Sequence, residues 1–409
     1  AGSMGPTNRT LSLSPKVEDP AYRAIEFDTL KQDYLEQTNG LLDGGVDLLI
    51  PETSFDTLNL KAAISAIETA FQARKERVPV ILSGTIVDAS GRTLSGQTVE
   101  AFYLSVAHAS PLAVGINCSL GPREIRGPLS RLSQICETYT CCYPNAGLPN
   151  EFGEYDISPD EMARLMGEFA QEGWLNLVGG CCGTTPEHIQ AIAETVLDVS
   201  ARQIPEAVLN PRFAGLEPFE IFPEGNMAIV GERTNVTGSR QFSRLIKGGE
   251  FEAALKVARQ QIEGGANILD VNMDEAMLDS AAAMSTFLKW VSVEPDIASV
   301  PIMIDSSDFS VIEAGLKTLQ GKGIVNSISL KDGEASFLEK GEIIKNFGAA
   351  VVVMAFDEEG QAVTCAHKCS IIERVYPLLT EEIGFKDSDI IYDPNILAIG
   401  TGIEEHNDY

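Results

Sequence analysis

Basic residues are scarce in this chain: 30 Lys and Arg stand against 59 Asp and Glu in 409 residues, a formal net charge of −29. A nucleic-acid partner is not expected, because a phosphate-backbone binder needs a strongly basic contact surface. Small anionic ligands are not excluded, since a local site can hold them. No apolar run approaches the roughly 20 residues that cross a bilayer, so no membrane partner is expected. No signal peptide opens the chain. Cysteines number only 8, too few for a disulfide scaffold, and the protein reads as reduced and cytoplasmic. Asn8-Arg9-Thr10, Asn117-Cys118-Ser119 and Asn235-Val236-Thr237 match the glycosylation pattern, but without a secretion signal they read as chance. A G-x-G-x-x-G after a strand is also missing, which weakens a dinucleotide-binding reading.

What is present is ordinary in bulk, with 44% hydrophobic and 22% charged residues. A domain size of roughly 150 residues suggests two or three domains. Short apolar runs alternate with amphipathic stretches. Val46–Ile50, Val78–Leu82, Leu112–Ile116 and Leu175–Val178 read as buried strands, as do Ala228–Val230, Ile268–Val271, Val300–Ile304, Gly323–Ile328, Ala349–Met354 and Asp389–Tyr392. Helices fall between them. Ser158-Pro159-Asp160-Glu161 supplies an N-cap, a first-turn proline and a capping-box Glu, followed by a stripe of Met162, Leu165, Met166 and Phe169. Thr185-Pro186-Glu187 opens another helix with Ile189, Ile192 and Val196 as its stripe.

Strand–helix alternation implies parallel strands, in a barrel or an open doubly wound sheet. The barrel is favoured because polar residues recur at strand C-terminal ends: Glu52, Cys118, Cys181, Asp270, Asp305, Asn326 and Asp393. Leu42–Leu49 and Ile262–Leu269 echo each other as a helix stopped by glycine before a strand, so two similar halves are plausible. Residues 1–199 and 227–409 are expected as two domains. Residues 200–226, carrying Pro205, Pro211, Pro218 and Pro223, are expected as the linker.

In the first half, Cys118 and the vicinal pair Cys181-Cys182 end two predicted strands. Both sulfurs of a vicinal pair reach one ion only if the backbone bends, and Gly179, Gly180 and Gly183 permit that. Three thiolates make the protein part of a tetrahedral zinc site with one position open, suited to a thiol substrate. The competing reading is buried structural cysteine. Cys141-Cys142 is a rival pair without the glycine frame. Cys365-Ala366-His367-Lys368-Cys369 looks like a ligand cluster but reads as helix surface, and His108 and His188 read as structural.

In the second half, the run from Gly231 and Glu232 to Arg240 is followed by Asp270-Val271-Asn272, Asp305-Ser306-Ser307, Asn326-Ser327 and Asp393-Pro394-Asn395. Acids and amides converging on one sheet end suit a flat heterocycle rich in N–H donors. Mg²⁺ is the chemical rival for such acids. Asp308, before Ile312 and Leu316, reads as a helix cap.

Gly2–Thr7, Ser83-Gly84-Thr85, Gly115–Cys118 and Gly179–Pro186 resemble the homocysteine S-methyltransferase barrel, and the motifs from Gly231 to Asn407 resemble a methyltetrahydrofolate-binding barrel related to pteroate synthases. Together they resemble the cobalamin-dependent methionine synthase family. The resemblance implies two consecutive (βα)8 TIM-type barrels, the first missing its N-terminal strands and the second its C-terminal strands. The second breaks off at Gly402–Asn407, and with Ala1 in place of a start Met this makes the chain read as a fragment. It also implies Zn²⁺ on Cys118, Cys181 and Cys182, with Asn145 near the metal and Glu52 at the homocysteine amino group. For the folate it implies contacts from Gly238, Ser239, Arg240, Asp305, Asn326 and Asp393, with Glu232 and Asp270 nearby. Asn326 is implied beside the pterin N5 as the catalytic hydrogen-bonding group, while no general acid stands out. The implied reaction passes a methyl group from 5-methyltetrahydrofolate through cobalamin to homocysteine, giving methionine and tetrahydrofolate. Cobalamin is carried by a separate module, and Asp-x-His-x-x-Gly, the family's cobalamin-ligating pattern, does not occur here. Alternatives are a pteroate-synthase-like or other corrinoid or folate methyltransferase, and a truncated non-catalytic binding module.

Overall fold

The computed structural model describes residues 1–88 and 90–396. The chain divides into two compact units, Ala1–Val208 and Leu209–Tyr409. Both are mixed α/β folds. In the first unit, β1 (Gly2–Met4), β2 (Leu49–Pro51), β3 (Ile81–Gly84), β4 (Ala113–Asn117), β5 (Tyr139–Tyr143) and β6 (Leu177–Val178) lie side by side in chain order, all parallel. Isolated bridges Leu49–Val80 and Ser54–Gly84 join β2 to β3. Helices α1 (Phe27–Asp43), α2 (Thr57–Arg74), α3 (Val99–Val106), α4 (Pro122–Ile135), α5 (Pro159–Gln171) and α6 (Pro186–Val196) follow them in turn.

The second unit begins with a hairpin, β7 (Arg212–Ala214) and β8 (Pro218–Glu220). Next come β9 (Val230–Asn235), β10 (Ile268–Asn272), β11 (Ile302–Asp305), β12 (Ile324–Ile328) and β13 (Ala350–Met354). A small hairpin, β14 (Phe356–Asp357) and β15 (Gly360–Gln361), precedes β16 (Ile390–Asp393). The sheet order is β16-β13-β12-β11-β10-β9, parallel throughout. Parallel strands in unbroken chain order with intervening helices are consistent with TIM-type barrels and put every strand's C-terminal end on one side. The expected break-off at Gly402–Asn407 lies outside the described residues.

Local sequence explains the elements. Ser158 caps α5 by accepting from the Glu161 N–H, but the Glu161 carboxylate pairs with Arg123 on α4 instead of closing a capping box. The stripe Met162, Leu165, Met166 and Phe169 is buried, each side chain contributing roughly 1.5–3 kcal/mol. In α6 the buried stripe runs through His188 and Ile192, whereas Ile189, expected inside, is 43% exposed. His188 closes the capping box: Nδ1 accepts from the Thr185 N–H at 3.1 Å, which leaves Nε2 to donate to the Ile157 carbonyl at 2.8 Å. Asp308 caps the helix Phe309–Leu316 through the Ser310 N–H, as expected.

The echo between the halves is one helix-stop device used twice. Gly45 and Gly265, at φ +78° and +98°, follow α1 and the helix Phe251–Glu263, and their N–H groups return to Leu42 and Ile262 carbonyls.

The stretch 200–226, expected as a linker, is divided between the units. Arg202 donates to the Ser133 and Thr138 carbonyls at 2.8 and 2.9 Å and so is bound to the first. Phe213, on β7, packs in a core cluster with Ile268, Met303, Ile324, Ala350 and Val352 of the second. Prolines spaced through the segment mask that hairpin in the sequence, since β-bridging here involves only three residues per strand.

Candidate metal centre and polar strand-end cluster

Cys118 leaves β4 in a left-handed conformation, φ +61°, followed by Ser119 at +60°. Non-glycine residues rarely adopt this conformation. Here it turns the sulfur off the strand axis toward the end of β6. There Cys181 and Cys182 sit in a bend held by Cys181 N–H to the Pro144 carbonyl at 2.8 Å and Cys182 N–H to Asn145 Oδ1 at 3.1 Å. Gly183 completes the bend at φ +77°, and a Cβ there would lie 2.3 Å from Tyr155 Cγ, so only glycine leaves room for that ring. The Cys118, Cys181 and Cys182 sulfurs all lie within 4.8 Å of one another, with Cys118 and Cys182 at 3.7 Å. A Zn–S bond near 2.3 Å puts tetrahedral sulfurs about 3.8 Å apart, so the trio fits such an ion. The neighbouring Cys181 holds the Cys118 thiol down to about 5, and the same pairing pushes the Cys181 thiol up. Asn145 is buried beside the trio, its oxygen accepting from the Cys182 amide with one lone pair.

Asn117 organises this end of the sheet and is the residue that sequence reasoning left without a role. Fully buried, its Oδ1 accepts from the Thr53 N–H at 2.8 Å and the Ser83 hydroxyl at 2.7 Å, and its Nδ2 donates to Thr53 Oγ1 at 2.8 Å. Its carbonyl accepts from Thr85 Oγ1 at 2.6 Å. Three strand ends are thereby fixed around the residue preceding Cys118. The glycosylation match at Asn117 is void, because the amide is spent on buried hydrogen bonds. Glu52 follows β2, with Oε1 accepting from Ser3 Oγ at 2.5 Å. Tyr143, at the end of β5, keeps a buried hydroxyl with no hydrogen-bond partner in the structure, near Ser83 and Glu52.

The rival pair Cys141-Cys142 is part of β5 and fully interior. Cys141 belongs to the core cluster with Ile81 and Ala113, and burial pushes both thiols far above the ordinary range. Cys365 and Cys369 are exposed, as expected for a helix surface. No other group of three metal-ligating side chains gathers among the described residues.

In the second unit Glu232, Asp270 and Asn326, which lie within β9, β10 and β12 and not at their expected ends, come together with Asp305 at the end of β11. Burial first, then Asp305 and Glu232, push the Asp270 carboxyl up to about 8, while Asn326 hydrogen-bonds to it. Asp305 is also raised by burial, offset by Asn272, whose Nδ2 donates to Oδ2 at 3.0 Å. Asp274, absent from the sequence reading, accepts from Ser306 Oγ at 2.5 Å and from Ser307 N–H at 2.7 Å, fixing the turn after Asp305. Such an acid-and-amide surface accepts N–H donors. Gly238, Ser239 and Arg240 lie in the turn after β9, where Gly238 N–H donates to Asn235 Oδ1 at 2.8 Å and Ser239 caps the helix Arg240–Lys247 through the Phe242 N–H. Asp393 ends β16 at the opposite edge of the sheet and accepts from the Asn395 N–H at 2.8 Å.

Residues 1–196 match the homocysteine S-methyltransferase family, and residues 231–409 match the pterin binding enzyme family. Among solved structures, the apo homocysteine methyltransferase MmuM from Escherichia coli is similar at 23% identity over 47% of this chain and 60% of that one, with a TM-score of 0.35. Its metallated form gives 23% identity, 44% and 56% coverage and a TM-score of 0.34. The 6-hydroxypseudooxynicotine amine oxidase of Pseudomonas geniculata N1 aligns over 90% of this chain and 67% of its own at 10% identity and a TM-score of 0.30. The chain thus spans about 60% of the length of the E. coli enzyme. The first match falls in the first unit and the second in the second unit.

Proposed function

We propose that the chain is a segment of a cobalamin-dependent methionine synthase, its first unit binding homocysteine and its second 5-methyltetrahydrofolate. The observation that carries this reading is the trio of sulfurs within 4.8 Å at the end of a homocysteine S-methyltransferase domain. Cys118, Cys181 and Cys182 would hold zinc, with Asn145 as an oxygen donor when substrate is absent. Zinc, when bound, would stabilise a thiol as its thiolate at neutral pH. Asn117 keeps the cysteine-bearing strand end in place. Glu52 would accept from the amino group of homocysteine, and the hydroxyl of Tyr143 stands beside it.

In the second unit, Asp305 and Asp393 would accept N–H donors of the pterin edge, with Gly238, Ser239 and Arg240 along its rim. Asn326 would hydrogen-bond at the nitrogen that loses the methyl group. Asp270, hydrogen-bonded to Asn326 and raised to about 8, holds a proton at neutral pH next to that position. In this reading Asp270 would serve as a proton store beside the pterin. Cobalamin would carry the methyl group between sites from a module outside this sequence, and no step is assigned to it. In this reading each unit is part of an eight-stranded barrel, and the protein acts in the cytoplasm.

Two measurements test the reading together: metal content per chain, and 5-methyltetrahydrofolate binding by calorimetry. About one zinc per chain, lost in Cys118→Ala, with saturable folate binding supports it. Zinc that survives Cys118→Ala would overturn the metal assignment. Absence of folate binding would overturn the second site and favour a non-catalytic binding module.

A further inference from the structure

The segment Cys365-Ala366-His367-Lys368-Cys369 opens a helix, Cys365–Pro377, that is well anchored at its start. Thr364 caps it by accepting from the His367 N–H at 3.2 Å, and Lys368 and Ile371 are buried beneath it. His367 turns aside from the cysteines, its Nε2 2.7 Å from Asp357 Oδ2 on the β14–β15 hairpin. That leaves Cys365 and Cys369, four residues apart on one face, both exposed. The neighbouring Cys365 sulfur makes Cys369 keep its proton more tightly than an isolated thiol does.

The spacing discriminates between uses of such a pair. Side chains four apart on a helix have Cβ atoms about 5–6 Å apart. A disulfide needs Cβ atoms at roughly 3.5–4.5 Å. Closing one here would require unwinding a first turn that Thr364, Lys368 and Ile371 hold in place. A bridge of sulfur, a third atom and sulfur has one more bond than a disulfide and spans the wider gap with the helix intact. Soft thiolate pairs favour soft centres over oxygen-seeking cations.

We propose that Cys365 and Cys369 form a two-sulfur clamp for a soft thiophilic centre, the class that includes trivalent arsenicals, at a site separate from the sulfur trio of the first unit. With an organoarsenic oxide the step balances without redox change. Two S–H bonds and the arsenic–oxygen bond are exchanged for two arsenic–sulfur bonds, and one water leaves.

The test uses the full chain, zinc-loaded, with phenylarsine oxide as the probe and intact-mass and peptide-mapping spectrometry as the readout. One phenylarsenic group bridging Cys365 and Cys369, lost in Cys365→Ser and in Cys369→Ser but retained in Cys118→Ser, supports the clamp. The Ser substitutions lie on an exposed face, and circular dichroism matching the parent shows that they leave the fold intact. Failure to form the adduct, or its persistence in either Ser variant, overturns the proposal. So does diamide converting the pair to a disulfide as readily as phenylarsine oxide bridges it, because the spacing would then not discriminate.

Discussion

Asn117 and Thr53 hold each other reciprocally: the Thr53 N–H donates to Asn117 Oδ1 and the Asn117 amide donates to Thr53 Oγ1, both at 2.8 Å. Thr53 itself is in a left-handed conformation at φ +56°. The pair fixes the turn after β2 against the residue that precedes Cys118. Groups that orient a metal ligand from behind commonly change affinity by about 10–100-fold when removed. Asn117→Ala is expected to weaken zinc binding within that range while the chain still folds. Competition with a chromophoric chelator, alongside circular dichroism, measures it; unchanged affinity in a folded variant would contradict the assignment.

Gly183 and Tyr155 make a steric prediction. Gly183→Ala should destabilise the first unit and lower its metal content, through both the φ of +77° and the overlap with the Tyr155 ring. Adding Tyr155→Ala relieves only the overlap. Partial recovery of thermal stability in the double variant is expected; full recovery would show that the backbone conformation costs nothing.

Cys141→Ala separates structural from ligating cysteines. It removes a sulfur from a packed core against Ile81 and Ala113, so it should cost about 1 kcal/mol or more in denaturant unfolding. Zinc stoichiometry should stay as in the parent, whereas Cys181→Ala should reduce it.

Asp270 gives a pH signature. Its carboxyl, near 3.9 in an unfolded chain and about 8 in the folded one, binds its proton more tightly when folded. Its contribution to stability is therefore complete below about pH 4 and is lost as pH rises through about 8. Asp270→Asn should flatten that fall, gaining on the order of 1–3 kcal/mol relative to the parent between about pH 5 and about pH 9. Urea unfolding across that range measures it, and parallel pH profiles for parent and variant would refute it.

Phe213 tests where the second unit starts. Phe213→Ala should cost about 3–5 kcal/mol in unfolding of the second unit and leave zinc content unchanged. A fall of less than about 1 kcal/mol would mean that the β7–β8 hairpin is dispensable.

The strands with long apolar runs were legible because burial on both faces writes a continuous hydrophobic word, as in β4 and β13. Their predicted ends fell within a few residues of the observed ones. β5 escaped because Tyr139-Thr140-Cys141-Cys142-Tyr143 is neither a continuous aliphatic run nor an alternating one, and its cysteines invited a chemical reading instead of a packing one. β1 escaped because three residues carry no periodicity. At the sites, the sequence offered the cysteines and carboxylates, whose chemistry is intrinsic to the side chain. Asn117, Asp274 and Tyr143 were opaque, because their importance depends on which distant backbone groups and buried surfaces they meet.

The sulfur trio also sets a clock on the life of the molecule. Its donors come from β4 and from the bend after β6, and the backbone that aims Cys181 and Cys182 is pinned by carbonyls and amides of Pro144 and Asn145. A growing chain that has exposed only Cys118 owns a single soft ligand on an unsupported turn, while domains condense as units during synthesis. In the proposed zinc-binding reading, metal capture therefore waits until residue 183 and the start of α6 have emerged. It then marks the moment when the last neighbouring strand of the first unit has locked into place.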